Sequence, residues 1–254
     1  MSHVIYACDI GSTMKGNFGW ARWDGSPSIK TSDDIKDLAT DLIEDLKHSK
    51  SIALGIEAPL FIPVPECDTK LSKSREGEGD RAFSAPAGLA VATLAVHQMA
   101  WVFSEIKRNF NSPLYFTSRM EDWPPRSQRQ TLYCWEAFVS GKAHSKNHEE
   151  DARTALIEFL DLEKELKPEQ SAVTIETPSK SLSLIGAAAL WSGLSEDLSI
   201  LHHSAFVVKP RKVPLLSRDY SVAEAVTIWE SLMDNDITIN SHTGSGSPNS
   251  DRLH

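Results

Sequence analysis

Three acids stand where an apolar strand ends or a helix begins. Asp9 closes the run VIYACD (residues 4–9) just before Gly11, and Glu57 closes IALGIE (52–57) just before Ala58-Pro59. Asp151 falls in the first turn of a helix and borders its apolar stripe, with Glu150 beside it as a substitute. Two carboxylates about one strand spacing apart repel unless one holds a proton or a cation lies between them. Three acids offering only oxygen atoms suit Mg2+ or Mn2+ rather than zinc. Plainer roles compete with this one. Asp9 can serve as a turn former before Gly11. Glu57 can pair with an arginine, although an unpaired carboxylate in an apolar strand is rare. Glu149, Glu150 and Asp151 suit a helix N-terminus electrostatically, and that same positive end opposes a nearby cation.

Basic and aromatic residues follow the acids along the chain. Lys70, Lys73, Arg75 and Arg81 come after Glu57, and Arg119, Arg126 and Arg129, with Trp123 among them, come after a later strand. If the strands are parallel, both loops leave the sheet at the edge that carries the acids. Arginines there grip phosphates and an aromatic ring stacks a base. Arg81 and Arg119 are the strongest substrate-binding candidates, followed by Lys73, Arg75 and Trp123. Glu76, Glu78 and Asp80 are interspersed and would pair off much of the charge. His144 and His148 have i, i+4 spacing, but Asn147 reads as a helix cap that leaves His144 outside, so the pair reads as exposed loop. His148 is still placed to assist proton transfer near Asp151.

The elements that must position these residues follow from periodicity. Residues 4–9, 17–23 and 28–31 read as three strands in a meander, with Asp24-Gly25 as a hairpin turn. Ile35, Leu38, Ala39, Leu42, Ile43 and Leu46 mark an amphipathic helix. A crossover then makes 52–57 parallel to the first strand. Residues 61–83 read as a long polar loop. Residues 84–104 read as an uncharged helix with Ser84 as N-cap, 114–118 as a strand, and 131–138 as strand or helix. Asn147 and Glu150 form a capping box before the stripe Ala152, Ala155, Leu156 and Phe159. Short strands are expected at 173–176 and 205–208, with a small-residue helix at 182–194 between them.

The chain has 254 residues, with 26 Lys+Arg against 35 Asp+Glu and a net charge of −9, which excludes a protein that coats nucleic acid by bulk charge. Its three cysteines, Cys8, Cys67 and Cys134, have no C-x-x-C spacing, so neither a disulfide framework nor a zinc cluster is expected. A reducing, cytoplasmic setting follows as the default. The N-terminus lacks a signal-peptide pattern. Residues 82–104 carry no charge and are long enough to span a bilayer. Their alanines and interspersed polar groups favour a buried helix and no membrane.

The motifs VIYACD-IG, IEAPL and HEEDARTAL resemble the three acidic motifs of the ribonuclease-H-like superfamily. More narrowly, IEAPL, an Arg-bearing loop, GDRAFSAPAG and EEDA resemble the family of uncharacterised predicted nucleases with that fold. The resemblance runs over residues 4–210 in element order and is sharp at these short motifs. Glu57 stands where members of that family often carry Asp, and the region after Pro210 has no counterpart. The resemblance implies an α/β domain over 1–215, with a mixed sheet of about five strands, an antiparallel meander followed by parallel strands, and helices on both faces. A helical appendage over 216–240 and a disordered tail over 241–254 would follow it. It also implies phosphodiester hydrolysis of a nucleic acid by two metal ions, with Asp9 bridging and Glu57 and Asp151 holding one each. Weak bulk electrostatics then call for a specific or structured substrate, or for a protein partner that delivers it.

Two other readings belong to different classes. Asp9-Ile10-Gly11-Ser12-Thr13 also resembles the phosphate-gripping turn of the actin-like ATPase superfamily, which implies a small-molecule kinase, yet no second phosphate turn follows the central helix. The remaining reading is a non-catalytic ribonuclease-H-like binding module.

Overall fold

The structure is a computed structural model that describes residues 3–79, 81–125, 129–139, 144–145 and 147–210. Its main sheet has seven strands. In chain order these are β1 (His3–Asp9), β2 (Gly19–Trp23), β3 (Lys30–Ser32), β4 (Ser51–Glu57), then β6 (Tyr115–Thr117), β7 (Thr131–Ala137) and β9 (Val207–Val208), since β5 (Phe61–Val64) lies elsewhere. The spatial order is β3-β2-β1-β4-β7-β6, with β9 also on β7. β1, β2 and β3 pair antiparallel, and every pairing from β1 to β4 onward is parallel. The protein is therefore α/β with a mixed sheet, an antiparallel meander followed by parallel strands, which is compatible with a ribonuclease-H-like layout.

Alternation along the strands builds two cores. Tyr6, Leu54 and Cys134 face one side, under α1 (Ile35–Lys47), α2 (Pro86–Asn109) and α4 (Leu184–Trp191). Ile5, Ala7, Ala53, Tyr133 and Trp135 face the other, under α3 (His148–Glu163) alone. In α1, Leu38, Ala39, Leu42, Ile43 and Leu46 are buried as their spacing predicts. Asp45 is buried with them because Arg22, Lys50 and the Tyr6 hydroxyl hold its carboxylate.

Several expectations are corrected. The sheet exceeds five strands because the stretch ambiguous between strand and helix forms β7 over Thr131–Ala137, which lies between β4 and β6. All seven residues of β7 are buried, so it shows no period-2 pattern. The stretch 61–83 opens with a strand, β5, paired antiparallel with β8 (Lys180–Ser183), a partner too distant in the chain for local patterning to reveal. Residues 173–176 contribute only a bridge between Thr174 and Glu76. The cap of α2 is Ala85 rather than Ser84, whose hydroxyl donates instead to the Ser72 carbonyl. By length and composition α2 suffices to cross a membrane, and here Met99, Val102, Phe103 and Ile106 are packed into the first core. The end of the expected domain at 211–215, the expected appendage at 216–240, the tail at 241–254 and Arg126 all lie outside the described residues.

Gly19 sets how closely α3 approaches the sheet. It pairs with Asp9 across β1 and β2, and a Cβ there would lie 2.4 Å from the Glu149 nitrogen and from the His148 carbonyl carbon. Backbone cannot yield as a flexible side chain does. Gly19→Ala is therefore expected to push the start of α3 away and to lower stability by about 1–3 kcal/mol, read as a fall in the thermal midpoint.

Candidate metal centre

Asp9 and Glu57 are the last residues of adjacent parallel strands and lie opposite each other in register. Alternation puts both side chains on the α3 face, continuing Ile5–Ala7 on β1 and Ala53 on β4. The third acid comes down from above them. Asn147 caps α3 by accepting from the Glu149 and Glu150 nitrogens, and the helix start rests on Gly19. Asp151 thereby faces the sheet beside Ala152 and Ala155, with no exposed surface. Carboxylate oxygens of Asp9, Glu57 and Asp151 all lie within 4.8 Å of one another.

The neighbours of the three acids differ. His148 Nδ1 lies 2.6 Å from Asp9 Oδ2, and His144 Nδ1 lies 2.6 Å from Asp151 Oδ2. The Ser145 backbone N–H donates to Asp151 Oδ1 at 2.7 Å. Glu57 Oε2 is buried and has no hydrogen-bond partner among the described residues. Burial pushes the Asp9 carboxyl above the ordinary range, against the pull of His148. Burial, with the charges of Asp9 and Asp151 beside it, pushes Glu57 well above its ordinary value of 4.5. Glu57 thus holds its proton to higher pH than an ordinary glutamate. The donor set fits a hard divalent cation: three convergent carboxylates, with an oxygen on the second that nothing else satisfies. The partial charge of a capped helix end is small beside three carboxylates, which answers the objection raised by the position of Asp151.

A cavity of about 550 Å3 opens over Asp9 and Glu57, walled by Arg81, Ala85, Gly88, Val91 and Val139, with His144 and His148 at the helix side. Of the basic residues expected at a substrate, Arg81 and Arg75 line this cavity, and the charge of Arg81 acts on Glu57. Their surroundings differ. Arg75 is 3% exposed and forms a paired salt bridge with Glu136 at 2.7 and 2.8 Å, a bond to Glu78 at 2.9 Å and one to the Phe61 carbonyl. It is a buried clamp, with no group left for a phosphate. Trp123 is buried too, stacked on Tyr133 at 5.5 Å and donating its indole N–H to Glu163, so its faces are closed to a base. Lys73 pairs with exposed Glu176 at 2.9 Å, away from the acids. Arg119 lines a separate cavity. Glu150 turns toward Arg153 at 3.6 Å and does not join the cluster. His144 lies outside α3 and is exposed, as the Asn147 cap implies, yet it contacts Asp151; His148 opens α3 and contacts Asp9 rather than Asp151.

Glu78 pairs with Arg75, as the acids interspersed in that stretch suggest, but the share of Glu136 in the cluster is not evident from the sequence. Glu136 is a second acid in an apolar strand, the same signal that marks Glu57, but it falls in the stretch left ambiguous between strand and helix. No protein-family model, curated protein or solved structure matches the chain.

The two acid clusters respond oppositely to neutralisation. A carboxyl whose folded pKa is raised contributes most while protonated and loses that contribution as pH climbs past 4.5. Glu57→Gln is expected to raise the thermal midpoint of cation-free protein at neutral pH, by about 2–4 °C for each kcal/mol of repulsion removed, and to blunt any gain from added Mn2+. Arg75→Met strands Glu136 and Glu78 without a counter-charge and is expected to cost about 3–5 kcal/mol in denaturant unfolding.

Proposed function

We propose that the protein is a Mg2+- or Mn2+-dependent phosphodiester hydrolase acting on nucleic acid. The observation that carries this reading is the convergence of Asp9, Glu57 and Asp151 around the unpartnered Glu57 Oε2. The layout of the sheet and the short acidic motifs supply the reaction class by analogy with ribonuclease-H-like enzymes. The kinase reading is weaker, because no second phosphate-gripping turn follows the central helix.

Asp9, Glu57 and Asp151 would hold the cations. When bound, divalent ions supply Lewis-acid polarisation and compensate charge at phosphorus. The rest is the work of the chain. Arg81, on the cavity wall, meets a substrate phosphate. His148 orients Asp9 and His144 orients Asp151, each through its Nδ1. The apolar wall of Ala85, Gly88 and Val91 limits water on the side opposite the acids. With a net charge of −9, a strand is held by such local contacts and not by the overall field of the protein.

The test is cleavage of end-labelled single- and double-stranded DNA and RNA with Mn2+, Mg2+ or chelator. Asp9→Asn is expected to lower the rate by about 10³-fold or more, and Arg81→Ala to weaken it chiefly through KM. Equal cleavage by Asp9→Asn and wild type, or cleavage indifferent to chelator, overturns the reading.

A further inference from the structure

A second cavity, of about 560 Å3, lies between β5, β8 and the segments around Arg119 and residues 202–206, and it shares no lining residue with the cavity over the acids. Its wall is mixed: Phe61, Val173 and Phe206, each less than a tenth exposed, form an apolar part, and serines, histidines, Arg119 and Glu121 form the rest. Two of its polar atoms, His203 Nδ1 and Ser181 Oγ, are buried and have no hydrogen-bond partner among the described residues. Buried polar atoms of this kind are costly unless something satisfies them. The Arg119 guanidinium lies on the same wall. Its one ion pair is with Glu121 at 3.7 Å, with both side chains more than half exposed, an arrangement worth little.

We propose that this cavity binds a small organic phosphate. Its phosphoryl group meets Arg119, His203 and Ser181, and its ring or chain lies on the Phe61–Phe206 wall. A guanidinium, an imidazole N–H and a hydroxyl are three separate donors, which suits a phosphate with three free oxygens better than a carboxylate with two. The cavity volume matches a ligand of nucleotide size. Burial and the Arg119 charge hold the His203 imidazolium below its ordinary pKa, so an arriving anion changes the balance at that ring directly. The site is independent of the proposed hydrolase activity. It also gives Arg119 a role apart from the acids.

The probe is phenyl phosphate, followed by calorimetry and by the imidazole proton resonances of His203 in the full chain. Wild type is expected to bind it saturably with a shift at His203, and to bind inorganic phosphate more weakly for want of the apolar wall. Arg119→Ala is expected to weaken phenyl phosphate about tenfold or more. Ser181→Ala is a second, milder variant, and Asp9→Asn is expected to bind as wild type does. Displacement of phenyl phosphate by a 5′-phosphorylated oligonucleotide would identify the source as a nucleic-acid end, and failure to displace it would identify a free small molecule; either result supports the site. Unchanged affinity in Arg119→Ala, or binding without any response at His203, overturns it.

Discussion

The organising constraint of this molecule is the repulsion among three carboxylates held with little solvent at one edge of the sheet. Folding brings carboxylate oxygens of Asp9, Glu57 and Asp151 within 4.8 Å of one another and gives Glu57 Oε2 no donor among the described residues. Such an arrangement opposes folding unless a proton or a cation relieves it. Much of the architecture serves to hold it in place. The parallel pairing of β1 with β4 fixes two of the acids opposite each other, and the bare backbone of Gly19 lets the third descend from α3. Further along that helix, on its sheet-facing side, Trp135 stacks on Phe159 at 4.4 Å and lies against Gly55, where a Cβ would overlap the indole. Two glycines, on β2 and on β4 with β1 between them, therefore help set the height of one helix.

The Arg75–Glu136–Glu78 cluster shows what the chain does with acids it means only to bury. There each carboxylate faces a guanidinium, and the loop that follows β4 is tied in through the Leu60 backbone N–H, which donates to Glu136. The same ties fix the loop that carries Arg81 toward the acids, since the Phe83 N–H donates to Glu78. One cluster is satisfied internally and acts as a brace. The other leaves Glu57 Oε2 without a partner among the described residues, and this contrast separates the two clusters.

Much of this was legible in the sequence, for definable reasons. Asp9 and Glu57 stood out because an acid at the end of an apolar strand violates burial rules, and a helix between two strands forces the crossover that makes them parallel. Asp151 was legible from the cap at Asn147 and the stripe behind it. The misreadings share one cause. β7 is buried on both faces and so has no alternation, β5 finds its partner far along the chain, and Arg75 and Trp123 have side chains whose usual place is the surface or an interface. Local pattern reports what a segment can do with its neighbours. Pairing and burial at long range are decided elsewhere. His144 and His148 illustrate the point, since their spacing suggested little, and only the fold carries each ring to a carboxylate.

The order in which the chain presents its acids bears on how it is made. A ribosome delivers β1 first, β4 later, and α3 only after most of the domain has emerged. A growing polypeptide consequently carries the first two carboxylates long before it has the helix that completes the set. Incomplete chains, whether stalled in synthesis or clipped ahead of residue 148, lack the third carboxylate of the set.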